Sequence, residues 1–509
     1  MSLQQYLQEF GKDASLTTLD WSQRSISQLP EEVSALAQVL SVNLERNDFS
    51  EFPAQLLALA QLKDLDLSDN QIAALPDDFG KLAQLDWLDL SCNRLQALPA
   101  SIGALVQLLW LDLKDNQLSE LPEAFAQLGS LEKLNLSYNE LREFPAPLLA
   151  LKHLKELFVA NNEIVQLPAE GWQNLVQLEA LNMESNPLGA LPEGLFSGLS
   201  ALHTLDVSGC HLRALSDKVS QLHRLEWLDA SENEIADLPA SIGNVSQLEW
   251  LDLHNNLLGT LPAELAQLHR LQHLNLENNP LNVLPEVVSQ LTNLQELDLT
   301  GTHLHFLPAS IAQLHMLNWL DLSDNNIDHL PTTFEQLAQL DFLDLSDNPL
   351  LKLPEHLCGL PRLQTLYLAS CGLETLSKDI ARLRTLLHLD LNDNVLQSLP
   401  DEISQLAQLE SLSVSDNNLH ALPADFGKLS ALTELDLSQN HLHTLPASFA
   451  QLKKLQHLDL SGNKFAHLPE CLFALRDTLL SLDLLENPIP ATFHQEIRER
   501  LPKTNIVFA

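Results

Sequence analysis

Tryptophan and aspartate recur together in this sequence as the tripeptide Trp-Leu-Asp. The tripeptide stands at 87–89, 110–112, 227–229, 250–252 and 319–321, and Phe-Leu-Asp stands at 342–344. Exposed aromatic side chains are favoured anchors of protein interfaces, and carboxylates attract basic groups. These residues therefore offer non-covalent recognition of a basic surface. The tripeptides form three pairs, 87–89 with 110–112, 227–229 with 250–252 and 319–321 with 342–344, and the members of each pair lie 23 residues apart. A repeating structure must therefore position them.

The sequence contains no motif that is typical of an enzyme. The kinase triplet Asp-Phe-Gly occurs at 78–80 and 425–427, but the catalytic loop and the glycine-rich loop that would accompany it are missing. The P-loop, HExxH and GxSxG motifs are missing as well. We therefore expect no enzyme, no catalytic residue and no cofactor. The alternative in the enzyme class is a recognition arm of a complex whose partner supplies catalysis.

The cysteines and histidines do not form the pattern of a metal site. The five cysteines are scattered and never show the CxxC spacing of zinc ligands or the even count of a disulfide framework; they are Cys92, Cys210, Cys358, Cys371 and Cys471. Rows of carboxylates on a flat sheet lie side by side, whereas calcium needs six to eight converging oxygens. We expect no bound metal.

The charge of the chain limits the classes of partner. Acidic residues number 68 and basic residues 28, which gives a formal net charge of -40. Nucleic acid and anionic membranes both require a positive patch, so we expect neither as a partner. A protein with a basic segment fits the charge. The N-terminus lacks the pattern of a signal peptide and no apolar run approaches membrane-spanning length, so we expect a cytoplasmic protein, with monomer favoured and the oligomeric state open.

One repeat accounts for almost the whole chain. The unit LxxLxLxxNxLxxLPxxxxxLxx recurs every 23 residues, or after 24 before Asn186, Cys210 and Asn487. Its asparagine, which we call the ladder residue, is kept in 17 copies. Arg24, Cys210, Thr302 and Cys371 hold the ladder position in four further copies. We predict one solenoid of 21 repeats over residues 16–487.

The repeat pattern predicts the local structure of each copy. The segment LxLxx alternates with the period of a β-strand, so its leucines point inward and the residues between them outward. Proline ends the extended segment, and the residues after it can form a short helical turn on the other side. The ladder asparagine can donate to and accept from backbone groups that would otherwise be unpaired inside.

The segment LDLSDNQIAALPDDFGKLAQL at 65–85 resembles a leucine-rich repeat. The 23-residue LPxx type is similar to the repeats of Ras-pathway scaffolds and plant intracellular Ras-group proteins. This resemblance implies an α/β fold: a curved horseshoe solenoid with a parallel β-sheet on its concave face and short helical or irregular turns on its convex face. It also implies that the concave face binds other proteins. The rival in the same class is a bacterial effector that is secreted and binds host proteins in the host cytosol.

The two ends depart from the repeat. Residues 1–15 are predicted to form an N-terminal helical cap, and residues 488–509 a C-terminal cap with Phe493, Ile497 and Leu501 at helical spacing. Such caps cover the open ends of a solenoid.

Two outward columns of side chains form the candidate binding surface. The position four residues before the ladder residue is aspartate in 14 of 21 copies, and we call it the aspartate column. The position six residues before it holds the paired aromatic residues and is called the aromatic column. We predict that these columns bind a basic partner through Trp87, Asp89, Trp110, Asp112, Phe158, Trp227, Asp229, Trp250, Asp252, Trp319, Asp321, Phe342, Asp344 and Tyr367.

Plainer explanations of the two columns are open. The aspartates can serve to keep the sheet solvated, and neighbouring rings can simply stack on each other. A continuous aspartate row would be costly, since carboxylates about 4.8 Å apart repel by roughly 0.9 kcal/mol even in water. The sequence never places more than three aspartates in a row before Asn, Phe, Tyr or Ser interrupts them. A basic partner would relieve the repulsion that remains.

The columns also suggest an internal duplication. The block that begins with Ser-Gly-Cys-His-Leu at 208–212 resembles the block that begins with Thr-Gly-Thr-His-Leu at 300–304, four repeats later. Duplicated blocks would give the surface two or three similar patches, which an extended or multivalent partner could bind together.

Overall fold

The computed structural model describes residues 16–508. The chain divides after Leu257 into two compact units. Each unit is a stack of repeats in which a three-residue strand is followed by a short helix, as the sequence pattern predicts. The predicted N-terminal cap at 1–15 lies outside the described residues.

The strands of each unit pair with their sequence neighbours in parallel. In the first unit they are β1 (Thr18–Asp20), β2 (Ser41–Asn43), β3 (Asp64–Asp66), β4 (Trp87–Asp89), β5 (Trp110–Asp112), β6 (Lys133–Asn135), β7 (Glu156–Phe158), β8 (Ala180–Asn182), β9 (Thr204–Asp206), β10 (Trp227–Asp229) and β11 (Trp250–Asp252). In the second they are β12 (His273–Asn275), β13 (Glu296–Asp298), β14 (Trp319–Asp321), β15 (Phe342–Asp344), β16 (Thr365–Tyr367), β17 (His388–Asp390), β18 (Ser411–Ser413), β19 (Glu434–Asp436), β20 (His457–Asp459), β21 (Ser481–Asp483) and β22 (Asn505–Val507).

The helices are mostly single turns of 3-10 helix. In the first unit they are Glu31–Ala35, Ala54–Ala58, Phe79–Leu82, Ala100–Ala104, Glu123–Gln127, Ala146–Ala150, Trp172–Asn174, Asp217–Gln221 and Ala240–Asn244, with one α-helix, α1 (Glu193–Gly198). In the second they are Ala263–Gln267, Val288–Gln290, Ala309–Gln313, Thr332–Gln336, Glu355–Gly359, Lys378–Arg382, Asp401–Gln405, Phe426–Lys428, Ala447–Gln451, Glu470–Leu475 and Ala491–Phe493, with α2 (His494–Arg500).

Leucine burial and proline geometry explain why each repeat folds this way. The central residue of each strand is buried, as Leu88 and Leu320 show, while its two neighbours face outward. Most of the 3-10 helices follow a proline in an extended conformation, such as Pro99 with φ -70° and ψ 150°. The ring fixes φ, so the extended segment ends where the helix begins. The predicted strands and short turns are confirmed.

The ladder asparagines bond neighbouring repeats to each other through the backbone. The Nδ2 of Asn93 donates to the carbonyl of Leu67 in the preceding repeat (2.9 Å) and to Leu90 (3.2 Å) and Ser91 (3.1 Å) in its own. Its Oδ1 accepts the amide of Ile72 in the preceding repeat (2.9 Å). One buried side chain therefore satisfies four backbone groups, and the predicted role of the asparagine is confirmed.

The backbone turns sharply just before each ladder residue. The residue that precedes it has φ between +48° and +63° in every copy. This left-handed conformation is disfavoured for residues with a Cβ, and Gly, Asn and Asp tolerate it best. Asp69 and Asn161 are typical occupants, and Gly301 stands before Thr302.

At three of the four ladder positions without asparagine, the substitute side chain keeps a donor but lacks the amide oxygen that serves as the acceptor. The Sγ of Cys210 donates to the Met183 carbonyl (3.2 Å), and the Oγ1 of Thr302 donates to the Leu299 carbonyl (2.6 Å). Cys371 donates through its Sγ in the same way. In a regular repeat, the asparagine Oδ1 accepts a hydrogen bond from a backbone N–H of the preceding repeat. Where the asparagine is replaced, that N–H needs another acceptor.

An Asn-Pro dipeptide in the preceding repeat supplies that partner. The copies with Cys210, Thr302 and Cys371 each follow a repeat whose ladder asparagine is followed by proline, at 186–187, 279–280 and 348–349. There the next amide bonds back to the carbonyl of its own asparagine in an i to i+2 turn, as in Leu188 to Asn186 (2.7 Å), Leu281 to Asn279 (2.8 Å) and Leu350 to Asn348 (2.8 Å). The following residue then donates to the backbone carbonyl of the substituted ladder residue, as in Gly189 to Cys210 (3.0 Å), Asn282 to Thr302 (3.0 Å) and Leu351 to Cys371 (3.1 Å).

The C-terminal segment contains helix α2 and strand β22. Ile497 and Leu501 are buried, and β22 pairs in parallel with β21. A capping role for this segment stays a prediction.

The Asn-Pro turn and the substituted ladder residue are expected to be coupled. Cys371→Asn alone should lower the free energy of unfolding by about 1–2 kcal/mol, because the new buried Oδ1 would accept no hydrogen bond from an amide. Adding Pro349→Gln should release the turn and make the double variant about 1–2 kcal/mol more stable than the sum of the single changes. Urea unfolding of the four proteins measures this coupling.

The control for this cycle is Asn93→Cys in a regular repeat. It should cost about 2 kcal/mol, since Ile72 loses its acceptor and no Asn-Pro turn replaces it. Strictly additive effects at 349 and 371 would contradict the coupling.

Candidate functional site

The aromatic and aspartate columns lie on the outward face of the sheet in both units. Trp87 and Asp89 flank the buried Leu88 on β4, and the register aligns them with Trp110 and Asp112 on β5. The side chains are half-buried, because neighbours on adjacent strands cover their sides. Trp87 and Trp110 therefore belong to the surface and are not part of the leucine core.

The first aromatic pair is a parallel stack. The ring centroids of Trp87 and Trp110 lie 4.6 Å apart with an interplanar angle of 4°. Trp227 and Trp250 are register partners on β10 and β11, and both are half-buried. Because Trp87 and Trp110 cover each other, the exposed aromatic surface of that pair is its rim and its two outer faces.

The second unit carries a cluster of three rings. Trp319 and Phe342 are stacked at 5.1 Å with an angle of 9°, and Phe342 meets Tyr367 edge to face at 5.6 Å and 87°. Tyr367 occupies the aspartate column, where the register places it between Asp344 and Asp390. The cluster therefore joins the aromatic column to the aspartate column.

Phe158 differs from Tyr367 because the chain itself supplies a cation to it. The Nζ of Lys133 lies 5.3 Å from the Phe158 ring centroid and 2.7 Å from the carboxylate of Glu156. Ammonium groups are attracted to ring faces. Phe158 is thus partly occupied by an internal partner, which the sequence pattern did not indicate.

The aspartates also hold the backbone turn that follows each strand. The Oδ1 of Asp229 accepts the amide (3.0 Å) and the hydroxyl (2.5 Å) of Ser231, and Asp89 does the same with Ser91 at 2.9 and 2.6 Å. Such a turn explains why Leu-Asp-Leu-Ser is so frequent in the repeat. The serine two residues after the aspartate was the sequence signal for this role.

Asparagines that interrupt the aspartate row donate to the neighbouring carboxylate. The Nδ2 of Asn135 donates to Asp112 (3.1 Å), and that of Asn182 donates to Asp206 (2.9 Å). Each replaces a repulsive pair of carboxylates with a hydrogen bond. The interruption of the row by asparagine therefore has a direct physical cause.

Burial raises the pKa of several of these carboxyl groups. The pKa rises to about 6 for Asp89, Asp229 and Asp298, first because burial disfavours the charged form and then because neighbouring carboxylates repel it. The pKa of Asp344 is raised for the same reasons. At neutral pH these carboxyl groups are thus charged at a cost in free energy that a nearby cation would reduce.

The cysteines do not form a reactive centre. Burial raises the pKa of the Cys210 and Cys371 thiols to about 12, and that of Cys92 to about 11. Thiols with such pKa values are poor nucleophiles at neutral pH. Within residues 16–508, no three His, Cys, Asp or Glu side chains are grouped so that they could hold a metal ion.

Comparison with models of known protein families identifies the family of this chain. The family model described as leucine rich repeat matches residues 38–95, 83–141, 292–350, 361–419 and 407–465, which together make up more than half of the chain. The chain belongs to the leucine-rich repeat family. A further model, described as a leucine-rich repeat region, matches residues 194–302. No curated protein matches the chain in sequence.

Several solved structures of this family resemble the chain. The ectodomain of the plant receptor kinase GASSHO1/SCHENGEN3 from Arabidopsis thaliana, in complex with CASPARIAN STRIP INTEGRITY FACTOR 2, is 27% identical over 97% of this chain and 68% of that one (TM-score 0.59). The plant peptide hormone receptor RGFR1 in complex with RGF2 is 25% identical over 97% of this chain and 88% of that one, with a TM-score of 0.59. TLR13 in complex with ssRNA13 is 26% identical over 96% of this chain and 74% of that one, with a TM-score of 0.57. The two plant receptors, each solved with a peptide or protein ligand, support protein–protein interaction as the general role of the fold. Among the described residues, no helix is long and apolar enough to cross a membrane.

Replacing one aspartate of the column should stabilise the protein at neutral pH. Asp229→Asn keeps an acceptor for Ser231 and removes a carboxyl whose pKa is raised to about 6. Because the pKa of Asp229 is higher in the folded than in the unfolded state, protonation of this group stabilises the fold at pH values below the unfolded-state pKa near 4. This stabilisation is lost as the pH rises through the folded-state pKa of about 6. We expect the variant to be about 1–2 kcal/mol more stable at pH 7 and equal to the wild type at pH 4.

The matched control for that measurement is Asp20→Asn. Asp20 makes the same bond to the amide of Ser22 (3.1 Å), but it is exposed. The exposed variant should show little stabilisation at either pH in urea unfolding. Equal gains at both sites, or a gain at 229 that persists at pH 4, would contradict the burial argument.

Proposed function

We propose that this protein is a non-catalytic scaffold that binds a partner protein with a basic segment through the two outward columns. The observation that carries the proposal is the combination of stacked, half-exposed rings with carboxyl groups of raised pKa on one surface. The rings would supply apolar contact area, and the carboxylates would supply charge complementarity.

The hydrogen bonds that the aspartates make within the chain leave one carboxylate oxygen able to bind a partner. In Asp89 and Asp229 the Oδ1 atom accepts the turn amide and hydroxyl. The Oδ2 atom of the same carboxylate can still accept a hydrogen bond, because an ionised carboxyl group has about four acceptor sites. A cation that approached Oδ2 would lower the repulsion along the row.

Charge argues against nucleic acid as the partner, although one similar structure has RNA bound. TLR13 was solved with ssRNA13, whereas this chain has a formal net charge of -40 and an aspartate-rich surface. Phosphate backbones require neutralisation by Lys and Arg. A basic protein segment is the better complement to this surface.

The cysteines favour the cytosol as the place of action. All five are free thiols in the structure, which suits a reducing compartment. Free thiols suit both a scaffold of the cell's own cytosol and an effector that acts in the cytosol of a host. A secretion assay distinguishes these two alternatives.

The proposal predicts that removal of one aromatic pair weakens partner binding. The double variant Trp227→Ala/Trp250→Ala should lose at least tenfold in affinity, since interface anchors contribute about 2 kcal/mol or more. Partners are captured from native lysate, identified by quantitative mass spectrometry, and their affinity for purified wild type and variant is then measured by calorimetry. Raising the salt concentration from 0.05 to 0.3 M should weaken wild-type binding further by screening the carboxylates.

The control variants lie away from the sheet. Val106 and Val176 are exposed at 51% and 56% in the segments that follow 3-10 helices, so Val106→Ala/Val176→Ala also removes exposed apolar surface. It should leave binding unchanged. If the tryptophan variant folds and keeps every partner at full affinity, this pair is not an anchor.

A further inference from the structure

Three sets of consecutive strands share one arrangement of acidic and aromatic residues. They read Asp-Leu-Asp, Trp-Leu-Asp, Trp-Leu-Asp on β3 to β5; Thr-Leu-Asp, Trp-Leu-Asp, Trp-Leu-Asp on β9 to β11; and Glu-Leu-Asp, Trp-Leu-Asp, Phe-Leu-Asp on β13 to β15. In the first and third sets, a carboxylate stands beside the first tryptophan within the aromatic column. In the second set Thr204 takes that place, which provides a natural comparison.

The third set leaves one indole face directed at a carboxylate. Trp319 is covered on one side by Phe342, so its other face is directed at β13, where the register places Glu296. The Glu296 carboxylate lies 2.8 Å from the Nδ1 of His273 on the far side. Glu296 therefore leans away from Trp319, and its side chain is still 45% exposed. Asp298 and Asp321 adjoin this face in the aspartate column.

Within residues 16–508, no lysine or arginine lies on this part of the sheet. The outward positions of β12 to β17, and the position two residues after each of these strands, contain no Lys or Arg. Among the described residues, Asp298, Asp321 and Asp344 take part in no ion pair, and no cation lies over the rings of Trp319 or Phe342.

The first set differs because lysines stand at both of its ends. Lys63 pairs with Asp86 (3.3 Å) next to β3, and Lys133 is the register neighbour of Trp110 on β6. These charges disfavour a second cation at the Trp87–Trp110 stack. The two stacks therefore look alike in sequence and differ in the charge around them.

Another part of the second unit shows how this chemistry holds a guanidinium group. The guanidinium of Arg500 lies 3.4 Å from the centroid of the Phe473 ring. It also makes paired hydrogen bonds to Glu470 at 2.9 and 2.6 Å. An aromatic face with a carboxylate on the adjacent strand is also what Trp319 and Glu296 provide, with the Glu296 carboxylate in contact with His273.

We propose that the free face of Trp319, with Glu296, Asp298 and Asp321 around it, binds an arginine side chain of the partner. This assignment rests on the proposed function and adds the type of residue that is recognised. Arginine fits better than lysine because its planar guanidinium stacks on a ring and donates to two carboxylate oxygens at once. Lysine offers a point charge and cannot make the stacked, forked contact.

The test uses three labelled peptides and the full-length chain. The peptides are nonapeptides of alternating glycine and arginine, glycine and lysine, or glycine and citrulline, and fluorescence anisotropy measures their affinities. The arginine peptide should bind about tenfold more tightly than the lysine peptide, and the citrulline peptide, which lacks the charge, should bind most weakly. Trp319→Leu and Glu296→Gln should each reduce the arginine-to-lysine ratio to near one.

Trp227→Leu is the matched control, since it removes an equally placed indole that has Thr204 in place of the carboxylate. It can lower the affinity for both basic peptides, but the arginine-to-lysine ratio should stay near ten. A ratio near one in the wild type, or a ratio unchanged by Trp319→Leu in a folded protein, would overturn the arginine site. If both basic peptides still bound the wild type in a salt-dependent way, the proposed function would survive; if neither bound, it would fail as well.

Discussion

The structure depends on the hydrogen bonds that the ladder asparagines make between neighbouring repeats. Each carboxamide bonds to the backbone of its own repeat and to that of the preceding one, as Asn93 does with Leu67 and Ile72. These bonds satisfy buried backbone groups and fix the position of each strand relative to the last. Because strand register is fixed, equivalent outward residues stand side by side, and two columns of side chains arise from a one-dimensional repeat.

The columns impose a second constraint, since like charges and large rings are brought to strand spacing. The aspartates remain because Oδ1 holds the turn after the strand, as in Asp229 with Ser231. Asparagines such as Asn135 break the row and convert repulsion into a hydrogen bond. Burial and neighbouring carboxylates raise the pKa of Asp89 and Asp298, so a cationic partner, as proposed, would gain affinity there.

The sequence alone was enough to predict the repeat, the strands, the buried leucines and the role of the ladder asparagine, because these follow from periodicity. It did not indicate the turn bonds of the aspartates or the left-handed residue before each ladder position, although Ser91 and Asp69 carry those signals. The Asn-Pro compensation at Pro349 and Cys371 depends on backbone bonds between two repeats, which no local pattern encodes. Likewise, the contact of Lys133 with Phe158 depends on which rotamers neighbouring strands allow. The binding role of the columns and the capping of both ends stay predictions.

If the two outward columns form the binding surface, a structure of the chain in complex with a captured partner will show the partner on them. Basic side chains of the partner should contact the aspartate column while apolar groups cover the rims of the ring stacks. A partner bound to the side of the 3-10 helices, with both columns left in solvent, would contradict it.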